Sequence, residues 1–267
     1  MIRQLDREFI PWDIYSACVL AAYRSYDDAQ CWAQDGCRGG ILAARNLVYN
    51  TAGGKQPPSG RVAFRRTPTA VISLVDGFAL LAAQGEPDFE ELVAFLRVQC
   101  WSRLQCDAEI AAKLPFPIEW RSMTLRFIAP KKEFAQENVA VADDPGEVYD
   151  ILARCFPDMK NRNDWMADLA LRWRRGTAKS WTITADGAAV CTAGAIALTE
   201  DYAYLGAVGT LPEARGRGLA GRLLTHIAGE MAGREIWLSC REELRGFYES
   251  IGFERTGDRV TLQKESA

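Results

Sequence analysis

The sequence predicts an α/β protein of the α+β kind: a central, mostly antiparallel mixed sheet flanked by helices, arranged in two similar halves. Three observations predict it. The apolar runs Trp181–Thr184 and Ala188–Leu198 are joined by Ala185-Asp186-Gly187, a hairpin signal that makes neighbouring strands antiparallel. Leu219, Leu223, Ile227 and Met231 recur every four residues directly behind a strand and a glycine-rich turn, so a helix there turns one stripe to a core. The order strand, helix, strand, helix, strand occurs over residues 70–128 and again in the C-terminal half.

In the C-terminal half the elements follow from their own patterns. Asp144-Pro145-Gly146-Glu147 is a capping box with proline at the first helical position, and Val148, Ile151, Leu152, Cys155 and Phe156 make that helix's apolar stripe. A second helix is expected from Asn163 to Arg174, with Met166, Leu169 and Trp173 on one side. The hairpin strands come next, then a turn at Glu200-Asp201 and a strand from Tyr202 to Val208. Gly233 ends the helix that carries the Leu219 stripe. Glu235–Cys240 is a short apolar strand, Leu244, Phe247, Tyr248 and Ile251 have the spacing of another amphipathic helix, and Phe253 opens a last strand towards Leu262.

The N-terminal half is less explicit. Helices are expected around Trp12–Tyr23 and Ser25–Cys37 and a strand at Gly40–Tyr49, before a Gly- and Pro-rich loop from Asn50 to Gly60. Ala70–Leu81 holds strand material broken at Asp76-Gly77, and Gly85-Glu86-Pro87 leads into a helix with Phe89, Leu92, Phe95 and Leu96. Cys100–Cys106, Ala108–Leu114 and Trp120–Ile128 read as strand, short helix and strand. The polar stretch 130–146 is a boundary between residues 1–130 and 134–267.

Composition narrows the function classes. Apolar residues make up 48% and charged residues 25%, the profile of an ordinary soluble domain, and a net charge of −3 argues against nucleic-acid binding. No apolar run approaches the roughly 18 residues of a membrane span, and the N-terminus lacks a signal peptide's apolar region. The eight cysteines are spread over apparent core positions such as Cys18, Cys155 and Cys191. No Cys-x-x-Cys occurs and there is one histidine, so no metal site is expected; Cys31 and Cys37 are read as free thiols, in a cytoplasmic protein.

The stretch Leu211-Pro212-Glu213-Ala214-Arg215-Gly216-Arg217-Gly218-Leu219-Ala220 carries the chemistry. A strand running into a glycine-rich helix start offers unpaired N–H groups and the positive end of the helix dipole to an anion. Three patterns compete. No Walker Gly-x-x-x-x-Gly-Lys-Ser/Thr occurs. Gly216-x-Gly218-x-x-Gly221 matches a dinucleotide fingerprint, which would make an oxidoreductase, but lies too late in the chain for that sheet. Arg215, Gly218 and Ala220 fit Arg-x-x-Gly-x-Ala, and Phe247-Tyr248-Glu249-Ser250-Ile251-Gly252-Phe253 follows about one helix–strand unit later. These two strings, in this order, resemble the GCN5-related N-acetyltransferase (GNAT) family, over roughly residues 134–267.

The resemblance implies a GNAT acyl-CoA N-acyltransferase fold, in a tandem form whose N-terminal half is a degenerate GNAT-like unit or an unrelated α/β cap. It implies acetyl-CoA as co-substrate and direct transfer of its acetyl group to a primary amine of a small molecule or peptide. The backbone of Val208, Gly209 and Thr210 would pair with the pantetheine arm. Gly216, Arg217, Gly218, Leu219 and Ala220 would give N–H groups to the pyrophosphate, with Arg215 supporting the turn. Tyr248 would protonate the leaving thiolate, although spacing alone makes it a core aromatic. Glu200, Asp201, His226, Ser239 and Cys240 are candidates for a general base, and none is singled out. The basic group Arg172, Arg174, Arg175 and Lys179 reads either as contact for an acidic acceptor or as a solvated helix end.

In the N-terminal half the matching turn, Gln84–Glu91, has one glycine, loses a donor at Pro87 and carries Asp88, Glu90 and Glu91, so no acyl-CoA is expected there. That half would wall the substrate cleft or form an interface, which leaves a homodimer open. A non-catalytic acyl-CoA-binding or interaction protein is the alternative from another class.

Overall fold

The computed structural model describes residues 2–4, 30–34, 69–75, 77–83, 87–131, 138–159 and 161–264. The chain falls into two compact units, residues 1–121 with 258–267, and residues 122–257.

The first unit contains strands β1 (Ile2–Gln4), β2 (Gln30–Gln34), β3 (Ala70–Val75) and β4 (Phe78–Ala83), helix α1 (Phe89–Val98), strand β5 (Arg103–Asp107) and the short helix α2 (Ala108–Ala111). Strands β1 to β5 are neighbours in that order, and residues 259–263 of the last strand of the chain pair antiparallel with β5. The strand material expected over Ala70–Leu81 forms two strands, β3 and β4, paired as a hairpin about Gly77, whereas β4 and β5 are parallel because α1 connects them as a crossover. Leu92 and Leu96 of α1 are buried in a core with Leu81, Leu104, Val260 and Leu262.

One expectation fails in this unit. Gln30–Gln34, within the expected helix Ser25–Cys37, is a strand, paired antiparallel with β3 from Gln30↔Leu74 to Gln34↔Ala70. Its partner is an apolar strand that needs a second neighbour, and ladder pairing overrides a weak local helical pattern. The expected helix Trp12–Tyr23, the expected strand Gly40–Tyr49 and residues Gln84–Glu86 lie outside the described residues, as do Cys18 and Cys37.

The second unit starts in the strand β6 (Ile118–Phe127). It continues through β7 (Val139–Val141), helices α3 (Pro145–Cys155) and α4 (Arg162–Arg174), and strands β8 (Lys179–Ala185), β9 (Ala188–Leu198) and β10 (Tyr202–Thr210). A single 3-10 turn, Pro212–Ala214, leads to helix α5 (Leu219–Glu230), strand β11 (Glu235–Cys240), helix α6 (Arg245–Ile251) and strand β12 (Phe253–Gln263). Within this unit the strand order is β12, β6, β11, β10, β9, β8, β7. β10 and β11 are parallel, joined by α5, and the pairs β6–β11, β9–β10, β8–β9 and β7–β8 are antiparallel.

Local chemistry accounts for the boundaries. Asp144 caps α3 by accepting the Gly146 N–H at 2.7 Å, with Pro145 in the first turn. Asp186 and Gly187 both have positive φ, 52° and 81°, which makes the hairpin turn of the kind that suits the strand twist. α3 covers one face of β9 and β10, and α4 packs on α3 around Val148, Leu152 and Leu169. On the other face α5 buries Leu219, Leu223, Leu224 and Ile227 against Trp181, Ile183 and Leu205. Each such leucine removed from water contributes about 1.5–3 kcal/mol.

Gly252 ends α6 with φ 130°, and a Cβ there would lie 1.9 Å from the Ala129 carbonyl oxygen. The Gly252 carbonyl in turn accepts from the Ile128 N–H at 2.9 Å. Gly252→Ala is therefore expected to destabilise the fold by on the order of 3 kcal/mol or more; an unchanged urea midpoint would contradict this. Among the described residues no helix is long and apolar enough to cross a membrane.

Candidate functional site

The site forms where β10 and β11 part. Their parallel pairing runs from Tyr202↔Glu235 to Leu205↔Leu238 and stops there, while both strands continue, β10 to Thr210 and β11 to Cys240. β10 stays attached to β9 on its other edge, at Gly206↔Gly194, Gly209↔Thr192 and Thr210↔Cys191. Between Gly206 and Gly209 it carries one residue more than β9, and Ala207 takes up the bulge with φ 52°. From Gly206 on, the edge of β10 towards β11 lacks that partner, so a wedge-shaped opening separates the strands.

Val208, Gly209 and Thr210 lie along this edge. Gly209 is buried: a Cβ there would come within 3.2 Å of Leu152 Cδ2 and Cys155 Sγ of α3. The Thr210 carbonyl accepts from Arg215 Nε at 3.1 Å and from Cys155 Sγ at 3.3 Å, and its hydroxyl lies 3.2 Å from Cys191 Sγ. Arg215 thus folds the loop back onto the strand. The Pro212–Ala214 turn is held further by Glu213, which pairs with both Nη atoms of Arg154 at 2.8 and 3.1 Å. The Glu213 carboxylate's bond to its own backbone N–H, then the Arg154 guanidinium, holds it below the usual carboxylate range.

The loop then enters α5. Gly216 and Gly218 have φ 76° and 72°, a left-handed conformation that a side chain disfavours. A Cβ on Gly216 would meet nothing within 4 Å, so the backbone there is open to an approaching group. Arg222 is the residue whose N–H reaches back to the Gly218 carbonyl, at 3.0 Å. The N–H groups of Gly218, Leu219, Ala220 and Gly221 precede it and have no acceptor within the helix. No side chain caps this end and its first turn carries no acid. Arg215, Gly216, Arg217 and Gly218 are exposed, whereas the Leu219 side chain turns inward. The arrangement fits a diphosphate. At α1 the corresponding end is already satisfied: the Asp88 side chain accepts the Glu91 N–H at 3.0 Å, and Glu90 and Glu91 occupy the first turn.

Tyr248 lies on α6, 6% exposed, with its ring edge-on to Phe247 and Phe253 at centroid distances of 4.9 and 5.8 Å. Burial, with a small contribution from the neighbouring Cys240 thiol, pushes its phenol up from 10 to about 12. Among the described residues its hydroxyl has no hydrogen-bond partner. The expected stripe of α6 is only half buried: Tyr248 and Ile251 face the core, but Leu244 and Phe247 are 47% and 37% exposed. The helix is too short and too close to the surface to bury a full face.

The base candidates separate. Glu200 and Asp201 are exposed before β10, at the end where β10 and β11 are still paired. His226 sits in α5 with Nε2 3.0 Å from Glu230 Oε1, and that carboxylate also accepts from Lys179 and Trp181. Ser239 and Cys240 are at the opening. Cys240 is buried on the Tyr248 side, its thiol pushed up to about 11 by burial and then by Glu242, Glu243 and Glu249. Ser239 faces the other way and bonds with the Tyr204 hydroxyl, a partner that sequence reading missed. The outward alternation of Tyr202 and Tyr204 with buried Ala203 and Leu205 was the available signal. The basic group disperses: Arg172 pairs with Asp168 at 2.8 Å and bonds the Ile196 carbonyl, Lys179 pairs with Glu230 at 2.6 Å, and Arg174 and Arg175 are exposed.

Among the described residues three buried thiols and one buried phenol titrate high in the folded chain: Cys106, Cys191 and Cys240, raised from 9 to about 12, 11 and 11, and Tyr248. Burial is the main cause in each. The unfolded chain loses these protons first, so their contribution is whole below about pH 9 and is lost as pH rises towards about 12. The melting temperature is expected to fall across that window; a flat profile there would contradict the burial of these groups.

The acetyltransferase (GNAT) family model matches residues 146–253. No curated protein matches the sequence. Among solved structures, a GCN5-related N-acetyltransferase from Kribbella flavida is 20% identical, with 74% of this chain and 88% of that one covered and a TM-score of 0.54. A GNAT-family acetyltransferase from Colwellia psychrerythraea is 10% identical over 99% of this chain and 100% of that one, with a TM-score of 0.57. A tandem GNAT protein from the clavulanic acid biosynthesis pathway is 13% identical over 94% and 89%, with a TM-score of 0.54. At these identities the likeness speaks for the fold, which is the GNAT acyl-CoA N-acyltransferase fold. With the parted strands and the uncapped glycine loop, residues 146–253 match the GNAT acetyltransferase family model and carry the GNAT fold.

Proposed function

We propose that this chain is an acyl-CoA-dependent N-acetyltransferase that moves acetyl from acetyl-CoA to a primary amine by direct transfer. The observation that carries the reading is the uncapped, acid-free N-terminus of α5 behind Gly216 and Gly218, set at the mouth of the opening between β10 and β11. In this reading the pyrophosphate takes the N–H groups of Gly216 to Ala220, and the pantetheine arm lies along Val208, Gly209 and Thr210. The acetyl group then sits between the strands, close to Tyr248 and Ser239. Exposed Leu244 and Phe247 offer apolar surface beside Tyr248.

The amine attacks the thioester carbonyl, the tetrahedral intermediate collapses, and Tyr248 supports the departing thiolate. A phenol near 12 is a weak acid for a thiolate whose usual value is about 8–9. The same burial raises the thiolate's proton affinity, so a hydrogen bond in the transition state, completed as the C–S bond breaks, is the role that fits.

We assign residues 134–267 to catalysis and residues 1–130 to a degenerate GNAT-like unit without an acyl-CoA site. Two neighbours that cover 94% and 99% of the chain support a likeness beyond the C-terminal half, and the self-satisfied end of α1 supports the missing site. Free thiols at Cys100, Cys106, Cys155, Cys191 and Cys240 support a reducing, cytoplasmic setting. Titration calorimetry is expected to show one acetyl-CoA bound per chain, in keeping with the one uncapped glycine loop among the described residues. No heat at millimolar acetyl-CoA would overturn both the enzyme and an acyl-CoA-binding protein without activity. Binding with no thiol release from a panel of amines would favour the latter.

A further inference from the structure

Among the described residues the carboxylates that act on Cys240 at the opening, Glu242, Glu243 and Glu249, lie on its side of β11, and on the Ser239 side the structure offers a hydroxyl pair for the proton that the attacking amine must lose. Ser239 is the first residue of β11 beyond the last pair with β10, Leu205↔Leu238. Tyr204, one residue before the end of that pairing, leans forward so that its hydroxyl bonds Ser239 Oγ, either atom being able to donate. The bond therefore spans the point where the strands separate. Alternation places Ser239 opposite Cys240 on β11, and Cys240 is on the face that Tyr248 shares. The opening thus has a hydroxyl group on each face, buried Tyr248 on one and the half-buried Tyr204–Ser239 pair on the other.

We propose that Ser239 and Tyr204 form the exit route for the acceptor's proton, with the acceptor entering on their face; this rests on the acyl-transfer reading above. As the C–N bond forms, the amine N–H proton passes to Ser239 Oγ, the Ser239 proton passes to Tyr204 Oη, and the Tyr204 proton passes to water. The C–S bond breaks on the other face, the sulfur takes the Tyr248 proton, and Tyr248 regains one from solvent. One proton has been lost from nitrogen, one gained by sulfur, and the hydroxyl groups of Ser239, Tyr204 and Tyr248 are all restored. In this scheme Ser239 touches the reacting amine and is catalytic, whereas Tyr204 acts through it and is a positioning residue. A relay asks neither hydroxyl to exist as a free base, since each takes one proton as it gives another.

The test uses Ser239→Ala, Ser239→Thr and Tyr204→Phe in the full chain, with thiol release measured for two nucleophiles. One is the fastest amine from a panel of amino acids, arylalkylamines, polyamines and aminoglycosides. The other is hydroxylamine, whose nitrogen sheds its proton to water readily once bonded to carbon. Ser239→Ala and Tyr204→Phe are expected to bind acetyl-CoA with the wild-type affinity by calorimetry and to lose roughly 10²-fold in kcat with the amine. Hydroxylamine is expected to rescue turnover, and Ser239→Thr to keep most of it. Equal losses with both nucleophiles, or none with the amine, overturn the relay and leave acyl transfer standing. A wild-type chain that binds no acetyl-CoA at millimolar concentration overturns the acyl-transfer reading, and the relay with it.

Discussion

Gly218→Glu is expected to abolish acetyl-CoA binding, raising Kd more than about 100-fold, or roughly 2.8 kcal/mol. Two effects act together. Gly218 caps α5 with φ 72°, where any side chain adds strain of about 1–2 kcal/mol. The larger effect is electrostatic. A carboxylate at this position would satisfy the free N–H groups and the helix dipole itself, as Asp88 does at α1, and would repel a diphosphate. Gly218→Ala separates the two, since it carries the strain without the charge and is expected to lose no more than about tenfold. Calorimetry and the shift of melting temperature with acetyl-CoA read both variants. A Gly218→Glu chain that binds normally would move the pyrophosphate away from this loop.

Tyr248→Phe is expected to leave acetyl-CoA affinity intact and to lower kcat by on the order of 10². The substitution removes one oxygen and keeps the ring, so the edge contacts with Phe247 and Phe253 remain. Because no described residue bonds the hydroxyl, no buried partner is orphaned, and stability should change little. With its phenol near 12, Tyr248 remains protonated through neutral and mildly alkaline pH. A fall in wild-type kcat centred near pH 10, lost in Tyr248→Phe, would mean that the phenol is not buried as described. Unchanged turnover in Tyr248→Phe would return Tyr248 to the core as a packing residue.

Much of the second unit was legible in the sequence because its signals are local. The Leu219 stripe, the Asp144 cap and the Asp186-Gly187 hairpin each state their geometry within a few residues, and each element formed where its pattern placed it. Gln30–Gln34 shows the opposite case, since its strand is set by a partner some forty residues away at β3. Leu244 and Phe247 fit an apolar stripe but stay exposed, because periodicity marks a face without telling whether anything covers it. Alternation marks Tyr204 as outward, but its pairing with Ser239 is not legible, because it joins residues on different strands, 35 positions apart.

By itself the sequence determined the loop. Gly216 and Gly218 sit where the backbone must turn left-handed, no acid follows them in the first turn of α5, and Arg215 is close enough to reach back to Thr210. Those are properties of neighbours along the chain, and together they make an end that suits an anion. Only the tertiary structure decided that this loop stands at an opening, because the parting of β10 and β11 after Leu205 is a matter of register between strands separated by a helix. It alone brought Tyr248 beside Cys240 and Tyr204 against Ser239. Side-chain direction across two strands and a helix follows from packing, which no single segment encodes.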